Sequence, residues 1–406
     1  MTRTTSLAMT FVFMACVSTL SVASTVQVGG CLNIVNFTTI QAAINAVPSG
    51  STIKVCPGNY PEQLLITKKL TLTGIASGTQ DAVVISPPAG GLSVNTSDLR
   101  GPVAAQVLVQ NATGVLITNL TVDGKGNNYD NDDLRGVLYQ DASGTVNHVA
   151  VRNEVPGDIP TGIQSGQGIM VETTTSSSAV LTVQNSSVHN YNKNGIVARY
   201  TGAVLNATGN YVQGYGPTSV IAQNGIELAF SGAAGIIKGN TVIDNFYIPT
   251  DTSSSDILLY DAAESGVVVS GNTAGNSNIA IALVAATPGT YGDNVSVTGN
   301  KVFGTSIFDG IDACSNGNTI TGNFIFNSAQ SGVHLDASCG TTGTSNAVSG
   351  NTIEESACAG ILDDTGSNTI GTNTYYTVPF TSASSTVGCA LPAASPRART
   401  RTKVRP

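Results

Sequence analysis

A two-part phrase recurs along most of the chain, and its spacing limits the folds open to it. From the middle onward Gly-Asn opens a short apolar-centred stretch: GNYV at Gly209, GNTV at Gly239, GNTA at Gly271, GNKV at Gly299, GNFI at Gly322 and GNTI at Gly350. Looser copies upstream extend the asparagine series to Asn119, Asn153 and Asn185, and Asn373 ends it. A second phrase alternates with the first, Gly followed by Ile or Val. It reads GVLYQ at Gly136, GIMVE at Gly168, GIVAR at Gly195, GIELA at Gly225, GIDAC at Gly310, GVHLD at Gly332 and GILDD at Gly360. DILLY at Asp256 and NIAIA at Asn278 fill the remaining register. Period-two alternation after a Gly predicts a short strand with one face inward.

Successive asparagines of the series are 22 to 34 residues apart. A unit that short cannot bury a core alone, whereas units stacked coil on coil can. Propeller blades need about 40–50 residues, which excludes them. The expected architecture is a cylinder of parallel strands, with one asparagine per coil stacked in a ladder of side-chain amides at a fixed bend. Composition agrees: 41% hydrophobic and only 10% charged residues exclude a disordered chain.

The ends read differently. Arg3, the apolar run Leu7 to Leu20 and Val22-Ala23-Ser24 predict a secretory signal over 1–24, too short in its apolar part to span a bilayer comfortably. Ile40, Ala43, Ile44 and Val47 share one helical face near 37–47, with Thr38 and Gln41 as a capping box and Pro48-Ser49-Gly50 as the stop. Removing Cys16 from the seven cysteines leaves an even set suited to an oxidising compartment. Six cysteines allow fifteen pairings; proximity alone favours 31–56, 314–339 and 358–389. Net charge is −8, and five of the 17 basic residues lie in the last ten positions. The acidic body repels nucleic acid, and nothing after the signal predicts a transmembrane anchor.

These phrases and the amphipathic turn resemble the pectate-lyase-like right-handed parallel β-helix superfamily over roughly residues 33–375. The resemblance implies an all-β, single-stranded right-handed parallel β-helix (solenoid) with a short N-terminal capping helix. The expected organisation is a signal at 1–24, the β-helix over 25–375, a C-terminal cap over 376–396 and a basic tail over 397–406. The superfamily's catalytic signatures are absent. The pectate lyase Arg-x-Pro-x-x-Arg element is mimicked only by Arg100 to Ala105, which lacks the second Arg. No catalytic residue is carried over.

The candidate site comes from the strand pattern. The step from asparagine to following strand is 17 positions at Asn119 to Gly136 and 16 at Asn240 to Asp256, but 9 at Asn351 to Gly360. Long connections on the first coils would wall a groove. Counting each Gly as position one, positions three and five face out. Position five then stacks Gln140, Glu172, Arg199, Ala229 and Tyr260; position three stacks Leu138, Met170, Val197, Glu227 and Leu258. Glu172, Arg199 and Glu227 are the candidate catalytic residues, a carboxylate acting as acid or base beside a charge-clamping Arg. Gln140 and Tyr260 are candidate substrate-binding residues. A cross-strand salt bridge on a solvated sheet is the plainer expectation for Glu172 and Arg199, worth under about 1 kcal/mol.

Two further clusters stand out. Asp312 and His334 share position three near the C-terminal end, with Asp336 and Asp364 at position five, an acid/base or metal pairing that short loops would leave solvated. Asp123, Asp130, Asp132 and Asp133 lie in one acidic loop that could ligate Ca²⁺, although without EF-hand spacing. No other cofactor is indicated. The expected function is that of an exported protein binding or acting on extracellular polysaccharide, as a lyase or glycoside hydrolase if it is an enzyme. The alternative is a non-catalytic surface adhesin or matrix scaffold.

Overall fold

The computed structural model describes residues 22–75, 80–129, 133–175, 178–249 and 252–384. Most of the predicted signal, Asp130, Asp132, Cys389 and the basic tail lie outside these.

Stacked coils form a right-handed parallel β-helix. One sheet follows coil order from Leu64–Ile66 through Gly101–Gln110, Leu134–Gln140, Gln167–Glu172, Asn194–Arg199, Asn224–Ala229 and Ser255–Tyr260 to Phe380–Ser384. The second sheet carries two strand series that meet at a bend. Ala203–Thr208 pairs with Ala234–Lys238 before the bend, and Tyr211–Gln213 pairs with Thr241–Ile243 after it. In the early coils Thr113–Asp123 and Ser143–Arg152 run unbroken through the bend.

The recurring phrases have direct physical causes. Inward rows stack like on like, as Val188, Val212, Val242, Ala274 and Val302, all fully buried. The Gly of the second phrase is required by that packing. A Cβ on Gly225 would stand 2.2 Å from Val242 Cγ1 and 2.6 Å from the Asp256 carbonyl, so no larger residue fits.

The asparagine ladder runs through Asn210, Asn240, Asn272, Asn300, Asn323, Asn351 and Asn373. From Asn240 on, each side-chain oxygen accepts both the backbone and the side-chain N–H of the preceding coil's asparagine, as Asn272 Oδ1 does from Asn240 at 2.9 Å each. The upstream expectation was out of register. Asn119 and Asn185 take φ of 56° and 49° and stand where Gly209 (φ 65°) and Gly239 (φ 64°) stand, one residue before the ladder. Asparagine tolerates that left-handed turn, so it substitutes for the glycine. Asn153 belongs to a different turn, with φ 59°. A second ladder, Asn318, Asn346 and Asn368, was not foreseen.

The N-terminal helix spans Ile40–Ala46 and buries Ile40, Ala43 and Ile44 against the open end of the cylinder. Thr39, not Thr38, caps it, accepting from Ala42 N at 3.2 Å, while Glu62 accepts from Ile40 N and Gln41 N. Cys31–Cys56 and Cys314–Cys339 are disulfides. No helix among the described residues is long and apolar enough to cross a membrane.

Candidate functional site

The expected register holds. Gln140, Glu172, Arg199, Ala229 and Tyr260 are aligned Cα partners on five consecutive coils, and Val197, Glu227 and Leu258 are aligned beside them.

The open groove does not hold over the first of these coils. Thr96–Asp98 and Gly101–Val103 pair antiparallel as a hairpin on the outward face. Val103 packs with Leu138, Met170 and Val197, which apolar side chains on an outward row require to leave water. Asp98 fastens the hairpin: its Oδ1 accepts from Arg100 N and Gly101 N, and its Oδ2 lies 3.5 Å from Arg135 Nη2. Gln140, the expected substrate-binding residue, is buried beneath this hairpin. Its Nε2 donates to Ser97 O (2.8 Å) and Glu172 Oε1 (2.9 Å), and its Oε1 accepts from Thr96 Oγ1 and Gln110 Nε2, which uses its capacity.

A further outward row was missed. The alternation breaks at the Gly, whose own Cβ would point into the core, so Arg135, Gln167, Asn194 and Asn224 just before it also face outward. They form a buried polar chain. Arg135 pairs with Asp133 at 2.7 Å and donates to Gln167 Oε1; Gln167 reaches Asn194 Oδ1. Asn194 and Asn224 both donate to Glu227 Oε2. The signal was present, since a polar residue precedes the Gly in each of these four phrases.

Arg199 is the unusual member. It is 3% exposed, and neither its Nε nor its Nη1 has a hydrogen-bond partner. The expected salt bridge is absent: within 4.0 Å it pairs with neither Glu172 nor Glu227. Its Cζ sits 5.6 Å from the centroid of the Phe230 ring. A buried guanidinium with open donors is costly unless something occupies them. Burial pushes the Glu172 carboxyl up to about 7, opposed by Arg135 and assisted by Asp98, and its Oε2 has no partner. Burial likewise brings Lys193 down to about 8 against the pull of Glu227, with its Nζ on Ala222 O at 2.6 Å.

Beside Arg199 three aromatic rings step along the coil axis. Tyr200 and Phe230 are 6.2 Å apart and Phe230 and Tyr260 are 5.7 Å apart, all partly exposed. Tyr200 and Phe230 hold φ of 72° and 62°, where bulky side chains are rare and cost about 1–3 kcal/mol each. Strain of that kind concentrates at binding sites. Sequence alternation overlooked both rings, because they follow the strand's last residue.

The other clusters also differ from expectation. Asp312, His334 and Asp336 are buried (5, 1 and 3% exposed) rather than solvated. His334 Nδ1 lies 3.2 Å from Asp309 Oδ2, and Nε2 lies 3.3 Å from Asp364 Oδ2. Burial lowers the imidazole's pKa, but Asp309, Asp364 and Asp336 together carry it well above the usual value. In the acidic loop the described carboxylates are paired with arginines. Asp123 pairs with Arg152 at 2.8 Å and Asp133 with Arg135, two arginines that neutralise them separately. Asp130 and Asp132 lie outside the described residues.

No family model and no curated protein matches the chain. Solved structures match its fold. The Azotobacter vinelandii mannuronan C-5 epimerase A-module aligns with a TM-score of 0.54 at 18% identity, over 84% of this chain and 92% of that one. A Eubacterium ramulus GH136 lacto-N-biosidase aligns at 0.57 and 11%, over 87% and 68%. The Streptococcus pneumoniae surface adhesin PfbA aligns at 0.51 and 13%, over 80% and 86%. Identities this low speak to architecture alone, and with the coil-ordered parallel sheets they show a right-handed parallel β-helix fold.

Proposed function

We propose that the chain is an exported protein that binds an extracellular polysaccharide bearing carboxylate groups, at the strip formed by Arg199, Tyr200, Phe230 and Tyr260. The observation that carries this reading is the buried Arg199 guanidinium with open Nε and Nη1 donors beside a three-ring row. A guanidinium fork suits a sugar carboxylate, and rings on successive coils suit successive sugar faces. Arg135 and Arg100 act electrostatically on Arg199, and Glu227 and Glu172 act on it in the opposite sense. The epimerase and lacto-N-biosidase neighbours support a carbohydrate ligand.

If the protein is catalytic, Glu172 is its acid, since a carboxyl held near neutral can give a proton at physiological pH. Glu227 then faces it across Arg199, with Cα atoms about 12 Å apart from strand geometry. The second reading, a non-catalytic surface adhesin or scaffold, gains support from the hairpin that shuts Glu172 and Gln140 away from solvent. A panel of neutral and uronic-acid polysaccharides with the full chain decides between them. Binding is read by affinity electrophoresis, and chemistry by reducing ends and the ultraviolet absorbance of unsaturated products. Binding of acidic glycans that Arg199→Gln abolishes, with no products, leaves the adhesin. Products lost in Glu172→Gln establish the enzyme. Equal binding by wild type and Arg199→Gln refutes the site.

A further inference from the structure

The geometry points to a second site, four coils beyond Arg199 on the same outward face: Asp312, His334 and Asp336 hold one divalent transition-metal ion of the Mn²⁺ or Zn²⁺ class, with Asp309 orienting the imidazole. This does not rest on the polysaccharide reading.

Asp312 and His334 are Cα partners on adjacent coils, and Asp336 follows His334 by two residues, so all three share one face. One ligand atom from each lies within 4.8 Å of the other two. At about 2.1 Å per bond, a modest contraction lets a single ion reach all three. The histidine is arranged as metal-bound histidines are. Its Nδ1 faces the Asp309 carboxylate at 3.2 Å, which fixes the ring and leaves Nε2 to the ion. Nε2 is buried, with Asp364 Oδ2 at 3.3 Å.

The surroundings hold the ligands in place. Asp336 accepts from Ser338 N at 2.7 Å and Ser338 Oγ at 2.8 Å. The Cys314–Cys339 disulfide ties the strand carrying Asp312 to the segment after Asp336. Along the row, Ala282 and Leu362 flank Asp312 and His334, so the polar group is bounded on both sides by apolar residues. Four carboxylates around one imidazole leave a negative site even when the ring is charged. An imidazole mixed with carboxylates selects Mn²⁺ or Zn²⁺ over Ca²⁺ and Mg²⁺, which favour oxygen alone.

The test is titration calorimetry of the chelator-treated full chain with Mn²⁺, Zn²⁺, Ca²⁺ and Mg²⁺ separately, with spin-echo spectroscopy of bound Mn²⁺. One Mn²⁺ or Zn²⁺ per chain is expected, with imidazole nitrogen coupling in the echo. His334→Gln abolishes that coupling and weakens binding at least 100-fold, and Asp309→Asn weakens it about 10- to 100-fold. Asp123→Asn leaves both unchanged. If His334→Gln fails to fold, Asp312→Asn replaces it, with the same loss of affinity expected. Absence of stoichiometric binding, no nitrogen coupling in the wild type, or tighter binding of Ca²⁺ than of both transition metals overturns the assignment.

Discussion

Replacing Asn272 by alanine removes four hydrogen bonds from a place that water does not reach. Asn272 Oδ1 accepts from Asn240 N and Asn240 Nδ2, and Asn272 Nδ2 donates to Ile237 O and Asn300 Oδ1, all at 2.9 Å. Asn240, Asn272 and Asn300 are 1%, 0% and 0% exposed. The Asn240 backbone N–H is left with no partner, at about 1–3 kcal/mol. Asn240 Nδ2 keeps Ala207 O and Asn300 Oδ1 keeps Asn272 N, so those two losses are partial, and with the bond to Ile237 O the three come to about 0.5–1 kcal/mol each. The sum is about 4 kcal/mol. Asn185→Gly is the control: that residue is exposed, its one side-chain contact is Asn147 Oδ1 at 3.3 Å, and glycine already fills the equivalent turn downstream. It should change stability by less than about 1 kcal/mol. Urea unfolding followed by circular dichroism reads both, compared by midpoint because coils of a solenoid can unfold in stages. Equal effects, or an Asn272→Ala cost below about 1 kcal/mol, would refute the ladder argument.

Other outcomes follow from the site and its frame. Glu172 is held near 7 in the fold against an ordinary 4.5, so the native state binds the extra proton and stability falls as pH rises from about 4.5 to 7. Glu172→Gln should flatten that part of the stability profile by up to about 3 kcal/mol, read by urea unfolding from pH 4 to 8; an unchanged slope refutes the burial of its charge. Glu154, fully buried with neither oxygen partnered, is raised in the same sense, and Glu154→Gln should stabilise the protein at pH 8 relative to pH 4. Phe230→Gly relieves a φ of 62° while removing the ring over Arg199, so stability should move by under about 1 kcal/mol while acidic-glycan binding falls about tenfold. Cys31→Ser with Cys56→Ser opens a loop with a sequence separation of 25 and should cost about 3 kcal/mol in the same unfolding assay, loosening the N-terminal cap first.

What the chain's repeats settled by themselves was the architecture and the row on which each outward side chain stands. Strand alternation has period two, and a coil repeat forces equivalent residues into register, so Glu172 beside Arg199 and Asp312 beside His334 were legible in the repeats alone. The phase of the ladder was legible only where Gly precedes Asn. At Asn119 and Asn185 the left-handed turn accepts asparagine itself, and the two roles look alike in one letter. Tertiary structure alone decided which outward residues meet solvent. The hairpin at Thr96–Val103 folds back over strands more than 30 residues later, and no local pattern reports that contact. It buries Gln140 and Glu172, while Tyr200, Phe230 and Tyr260 stay partly exposed. The same holds at Asp309, Asp312, His334 and Asp336. All four are buried, which their place in the repeat does not report, and burial there strengthens the pull of the carboxylates on the one imidazole.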